Sequence, residues 1–294
     1  MRQLLKKKPA WALALGTILL SFAPILVKTS ASPPTTAAFY RMLFGGLVLL
    51  AIQLLKGNRC SVRRRTALVL FAAGFAFAFD LFSWHRSIHL IGPGLATLLT
   101  GFQVFILAIA SVLFLHERMR WQLAVAIPAA FAGVAMIIGI DWSALTEGYR
   151  TGVIFGLVSA VCYSAFLLIM RWQRHNDESG TTPIVEVAWM SLACAAVLAV
   201  TAQFSGESLA ISDTNEALLL VSYALLTVVG IVVISWSLGK VATSLVGLLL
   251  LLEPTFAYVW DLTFFSRDVS AFELAGAALA LSAIYLGSMK SSAS

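Results

Sequence analysis

Apolar residues run on for about twenty positions at a time along this chain, and short polar stretches punctuate them. A helix of roughly 20 mostly apolar residues crosses about 30 Å of hydrocarbon, and lipid offers no partner to an open backbone group, so each run reads as a spanning helix. Ten runs stand out, at about 10–28, 35–56, 66–88, 92–115, 119–140, 150–172, 183–203, 215–237, 242–265 and 269–289. The connections are short, which leaves hardly any chain for a soluble domain and predicts an all-α integral membrane protein with ten transmembrane helices. The first stretch, "KKKPAWALALGTILLSFAPILVKTSAS", also resembles a secretory signal with a small-residue site near Ala31. Its apolar core is long for a signal, and cleavage would leave an odd number of spans, so it is read as helix 1.

Composition agrees with the pattern. A chain of 294 residues that is 60% hydrophobic and 12% charged cannot hide so much apolar side chain in one soluble core of this size. The net charge is +6, and the placement of the basic residues explains it. With a cytoplasmic N-terminus, the inside segments hold Arg2, Lys6, Lys7, Lys8, Lys56, Arg59, Arg63, Arg64, Arg65, Arg118, Arg120, Arg171, Arg174, Lys240 and Lys290. Outside fall only Lys28, Arg86, Arg150 and Arg267, while Arg41 sits within helix 2. Such asymmetry orients membrane proteins and puts both termini inside. It is a topogenic signal, and no basic, aromatic-bearing face on a folded domain points to nucleic acid. The cluster "KGNRCSVRRR" is an inner loop that touches anionic lipid. The three cysteines, Cys60, Cys162 and Cys194, suggest neither a disulfide framework nor a metal cluster.

The polar stretch "DWSALTEGYR" divides the chain into a first five-helix repeat at 1–140, an outer linker at 141–149 and a second five-helix repeat at 150–294. Sliding the first half forward by 150 residues lays Gln103 over Glu253, Glu117 over Arg267 and Ala126 over Gly276. Five is odd, so the second half starts from the opposite side of the membrane. Inverted repeats of this kind usually form transporters with the substrate site at the midplane between the halves.

Three stretches carry a resemblance: "AFYRMLFGGLVLL" at 38–50, "FLHERMRWQLAVAIPAAFAGVAMII" at 114–138 and "LLLLLEPTFAYVW" at 248–260. Together they resemble the EamA-type members of the drug/metabolite transporter superfamily, with the Glu-Pro of helix 9 and the Glu-Arg after helix 4 the most specific marks. The second half departs from the pattern, reading Ser266-Arg267-Asp268 where Gly-Glu-Arg belongs. The resemblance implies a ten-helix bundle in which helices 1, 3, 4, 6, 8 and 9 enclose a cavity. Helices 5 and 10 then pack aside and are available for homodimer contacts. It also implies transport of small metabolites such as amino acids, often outward.

Embedded charges are the candidate chemistry. Glu253 lies about 15 Å from either end of helix 9, where a charge costs at least a few kcal/mol. Pro254 follows, freeing the carbonyl of Leu250 and favouring a kink. An acid beside a broken helix is the membrane form of a binding site; the other reading is a structural acid that fixes packing. Trp260 shares a face with Glu253, whereas Asp261 falls about 80° round, near outer water. Tyr258 and Trp260 could stack an organic cation, or belong to the interfacial aromatic belt. Gln103 brings a neutral amide to matching depth on helix 4.

Asp80 lies roughly 12 Å deep in helix 3 and Arg41 roughly 9 Å deep in helix 2. They form a structural pair, or else Asp80 faces the cavity to bind the solute or carry a coupling proton. Trp84 shares the face of Asp80. His85 and His89 sit at the mouth as wet residues, or titrate and make transport pH-sensitive; no third ligand completes a metal site. Trp236 with Lys240 reads as an inner anchor, and Glu186 pairs with Arg171 or Arg174. Gly45-Gly46, the stretch from Gly152 to Gly156, and "GPG" at 92–94 read as close packing and a tight turn.

Enzyme signals are scarce: no Gly-x-Ser-x-Gly, no His-Glu-x-x-His and no phosphate-cradling loop. The sequence therefore predicts a multi-pass secondary transporter of the cell's inner (plasma) membrane, without cofactor, moving a small amino-acid-like, cationic or zwitterionic solute by alternating access, with export favoured. Substrate contacts are expected at Glu253, Gln103, Asp80, Trp84, Tyr258 and Trp260, and proton coupling at Glu253, Asp80 or His85. The alternatives are an importer of a cationic amine and, in a different class, an intramembrane lipid-modifying enzyme with Asp80, His85 and His89 as an acid–base cluster.

Overall fold

The computed structural model describes residues 9–115, 121–138, 143, 145–176, 181–238, 249–250, 252–266 and 269–288. Its elements are α1 (Pro9–Leu20), α2 (Ala23–Thr29), α3 (Pro34–Leu55), α4 (Arg64–Ile91), α5 (Pro93–Thr100), α6 (Gln103–Leu115), α7 (Trp121–Ile138), α8 (Glu147–His175), α9 (Pro183–Phe204), α10 (Thr214–Leu238), α11 (Leu252–Phe264) and α12 (Ala271–Ser288). Two of the expected runs are each split in two, so these elements correspond to ten passes. Six of the passes, α1–α2, α3, α4, α7, α8 and α9, are long and apolar enough by themselves to cross a membrane.

The first split falls between α1 and α2. Pro24 has no N–H to donate one turn back, and the chain turns through Ser21 and Phe22, with Ser21 Oγ donating to the Ile18 carbonyl at 2.6 Å. The second falls between α5 and α6 without a proline. Phe102 N donates to Leu99 O at 3.0 Å and Phe105 N to Phe102 O at 2.9 Å, a tightened turn that leaves Gln103 at the start of α6. Gly101 sets its position: a Cβ there would stand 2.9 Å from Leu98 O and 3.1 Å from Ile284 Cδ1 of α12.

The central element is α4, which packs on α3, α5, α8 and α9. Glycines allow close approach where the sequence places them. A Cβ on Gly46 would stand 2.9 Å from Leu192, one on Gly152 2.5 Å from Ile91, and one on Gly156 2.8 Å from Leu99. Gly92 has a φ of +89° at the turn into α5. Away from the centre, α7 packs on α12, and Gly133 and Gly276 meet backbone to backbone.

The exterior is apolar. Leu47, Leu54, Phe71, Phe75, Ile154, Val158 and Val161 are all exposed, while Asp80, His85, Glu186, Glu216 and Asp261 are buried. This inversion of the soluble pattern is what solvation by lipid demands. The basic N-terminal run, Glu117 to Arg120, linker residues 141, 142 and 144, Lys240, Arg267-Asp268 and Lys290 lie outside the described residues, as do the side chains of Arg174 and Trp236. Glu186 is fully buried and accepts from Gln173 Nε2 at 3.4 Å.

Candidate functional site

Where α4, α5 and α8 meet, Asp80 is 4% exposed and its Oδ1 accepts from Ser159 Oγ at 2.5 Å. Thr100 Oγ1 lies 3.0 Å from the same serine oxygen. A buried carboxylate must be hydrogen-bonded, and here a hydroxyl of the second half supplies the bond. Arg41 does not: the expected Arg41–Asp80 ion pair is absent, because the guanidinium turns toward α10. Its Nη1 donates to the Tyr223 hydroxyl at 2.7 Å, and its carbon lies 4.9 Å from the Tyr223 ring centroid and 5.6 Å from that of Trp84. Two aromatic faces and one hydroxyl thus replace the carboxylate as its partners. Arg41 still acts on Asp80 through space.

His85 is wholly buried, not a wet residue at the mouth, and its Nε2 lies 3.2 Å from the Tyr223 hydroxyl. Trp84, also buried, meets the His85 ring edge to face. The chain Arg41, Tyr223, His85 therefore crosses between the two halves, as the Asp80–Ser159 bond does.

Glu253 lies in the first turn of α11, partly accessible, and accepts no hydrogen bond among the described residues. It lies within electrostatic reach of Arg41, Tyr163 and Tyr223. The kink expected at Pro254 adjoins residues 241–248 and 251, which are outside the described residues. Gln103 presents a buried Oε1 without a partner, and its backbone carbonyl lies 3.5 Å from Ser164 Oγ of α8. Arg41 Nε is likewise buried and unpartnered. Along α8, Ser159 thus binds Asp80 and Ser164 meets the Gln103 backbone, while Arg41 lies within electrostatic reach of both Asp80 and Glu253.

The remaining candidates stand further along α11. Tyr258 is 4% exposed, packs against Gly94 and donates to Glu273 Oε1 at 3.1 Å, so it does not belong to an interfacial belt. Trp260 Nε1 donates to Ser21 Oγ at 2.9 Å, and its ring stacks on Phe22 at 4.7 Å and Phe256 at 5.5 Å. It braces the break between α1 and α2. Asp261, expected to reach water, is 2% exposed and accepts from Gly94 N at 3.2 Å, holding the turn into α5.

A polar clasp, absent from the sequence reading, closes the end of the bundle where the connections 30–33, 92 and 205–213 meet. Glu216 of α10 accepts from Ser30 Oγ, from Ala31 N at 3.0 Å, and from Ser32 N and Oγ at 3.1 and 2.7 Å. Glu207 accepts from Thr35 N at 2.8 Å and Thr35 Oγ1 at 2.9 Å, and pairs with Arg86. Thr36 and Tyr40 donate to the carbonyls of Ser208 and Leu209, while Lys28 Nζ donates to His89 O at 2.8 Å. Apart from this last bond within the first half, every contact joins one half to the other. Ser159, Tyr223, Glu207 and Glu216 left no signal in the chain, because each is an ordinary polar residue until its distant partner is known.

The sequence matches the EamA-like transporter family over residues 7–139 and 150–289. No curated protein matches it. Among solved structures, one crystal structure superposes with a TM-score of 0.65 at 20% identity, covering 95% of this chain and 96% of its own, a likeness of fold.

Proposed function

The chain belongs to the EamA-like transporter family, whose members are transporters rather than enzymes and span the membrane many times; on that premise we propose that it is a secondary transporter exporting a small zwitterionic metabolite of the amino-acid kind across the cell's inner membrane. What supports this reading is a pair of unpartnered buried atoms, Arg41 Nε within electrostatic reach of Asp80 and Glu253, and Gln103 Oε1 on α6, whose backbone meets α8 five residues beyond the Ser159 that binds Asp80. A buried polar atom without a partner costs about 1–3 kcal/mol, which a bound ligand relieves. A carboxylate suits the guanidinium, and an ammonium suits the open Glu253 with the Gln103 oxygen.

The same cluster supports a mechanism. The halves run in opposite directions through the membrane, and the bonds Asp80–Ser159 and Arg41–Tyr223 tie one to the other at the site. Ligand replaces part of these ties, so binding biases how the halves sit on each other, which alternating access requires. With cytoplasmic termini the clasped end faces outside, and this closed state loads from the cytoplasm. Asp80 or Glu253 carries the coupling proton. His85, held by Tyr223, positions Arg41 through the shared hydroxyl. A homodimer would form through the exposed faces of α7 and α12.

A thermal-shift screen of the purified protein in detergent against amino acids, amines, nucleosides and sugars tests the reading, repeated on Glu253→Gln and Arg41→Ala. Amino acids should raise the wild-type midpoint and fail to raise that of either variant. Hits confined to amines and indifferent to Arg41 would instead favour a cationic cargo.

A further inference from the structure

The end of the bundle away from the clasp carries arginines that the transport site does not use. Arg63, Arg64, Arg65 and Arg171 are all exposed, and none pairs with a carboxylate among the described residues. The loop before them is fixed, since Trp189 Nε1 of α9 donates to the Cys60 carbonyl at 2.7 Å. Beneath Arg65, between α4 and α8, runs a shallow groove of about 470 Å³ lined by Leu68, Val69, Ala72, Leu168, Ile169 and Trp172. Its lining is outward-facing: Leu68 is 64% and Trp172 47% exposed. Arg65 closes the groove's end, its guanidinium carbon 5.7 Å from the Trp172 ring centroid.

Helical spacing puts these groups in line. Arg65, Leu68, Val69 and Ala72 share one face of α4, and Leu168, Arg171 and Trp172 share one face of α8. From Arg65 to Ala72, at the far end of the groove, α4 rises about 10 Å, the reach of roughly eight methylenes of an extended chain. An apolar furrow open to hydrocarbon, ending under an indole and two guanidinium groups unpaired among the described residues, has the layout of one lipid: chain below, head group above.

We propose that this groove binds an anionic phospholipid, with an acyl chain against Leu68, Ala72 and Leu168 and the phosphate between Arg65 and Arg171. The Trp172 ring marks the glycerol level. Charge complementarity selects the occupant, because a zwitterionic lipid would bring its own cation to two arginines that lack a counter-ion among the described residues. The lipid braces α4 against α8, the helices that carry Asp80 and Ser159.

Trp172 reports on the groove. The full-length protein is reconstituted in vesicles of dibrominated phosphatidylglycerol or dibrominated phosphatidylcholine, and the Trp172 signal is taken as the difference between wild type and Trp172→Phe. Half-quenching of that signal should need several-fold less brominated phosphatidylglycerol than phosphatidylcholine, on the scale of roughly fivefold per arginine. Arg65→Gln with Arg171→Gln should bring the ratio of the two lipids to one; the ratio is taken within each variant, so loss of the stacked guanidinium does not distort it. Ala72→Phe, which fills the furrow and leaves every arginine, should weaken quenching by both lipids. Equal quenching by the two lipids in the wild type overturns the proposal. So does a preference that survives loss of both arginines, or an Ala72→Phe variant quenched like the wild type.

Discussion

Replacing Ser159 by alanine removes the hydroxyl that donates to Asp80 and leaves a carboxyl that is 4% exposed without that bond. The expected cost is about 1–3 kcal/mol, read as a lower unfolding midpoint in detergent; an unchanged midpoint would mean that water takes over the bond. Arg41→Lys keeps the charge but loses the planar fork that donates to Tyr223 and lies against two rings. Ligand affinity should fall about tenfold or more, equivalent to roughly 1.4 kcal/mol, by calorimetric titration. Equal affinity in the lysine variant would show that only charge matters there. The sequence pointed to Asp80, Glu253 and Gln103 because a polar group deep in an apolar run is costly. It could not pair them. Asp80 and Arg41 lie at similar depth on neighbouring helices, which favours an ion pair until one knows that α8 offers a serine to the acid and α10 a tyrosine to the guanidinium. Those partners lie 79 and 182 positions away along the chain.

At the scale of elements, two contacts invite change. A Cβ at Gly133 would stand 2.6 Å from Ala280 N and Gly276 O, so Gly133→Val must separate α7 from α12. Overpacking of this kind costs typically about 1–3 kcal/mol, which a thermal melt measures; a melt equal to wild type would show that the two helices slide apart freely. Glu216→Ala removes the acceptor of four bonds from Ser30, Ala31 and Ser32. In a chain with its native cysteines replaced, a cysteine at Ala37, 1% exposed, should then react several-fold faster with an impermeant maleimide. No change in rate would assign closure of that end to other contacts. Hydropathy alone located the described helices to within a few residues, apart from the start expected at 242, which lies outside the described residues, since length and apolarity are what hydrocarbon requires. The breaks at 21–22 and 101–102 were not legible, because a run of apolar residues looks the same whether its backbone is straight or turned. Pro24 and Gly101 acquire meaning from neighbours such as Trp260 and Ile284.

For the whole molecule, the central claim is that the two halves close alternately around one solute held by Arg41, Glu253 and Gln103. Polar ties between halves are concentrated at the site and at the clasp, so the alternating access proposed above requires both to loosen and reform. Weakening the clasp should change rates while leaving ligand affinity near the wild-type value, whereas changes at Arg41 or Glu253 should act first on affinity. The most direct test is solute counterflow in proteoliposomes loaded with an unlabelled amino acid that the thermal-shift screen selects, with the same amino acid labelled outside. The account predicts transient accumulation of label by the wild type and none by Glu253→Gln or Arg41→Ala. Accumulation by both variants at the wild-type rate would contradict it, placing the solute path away from this cluster.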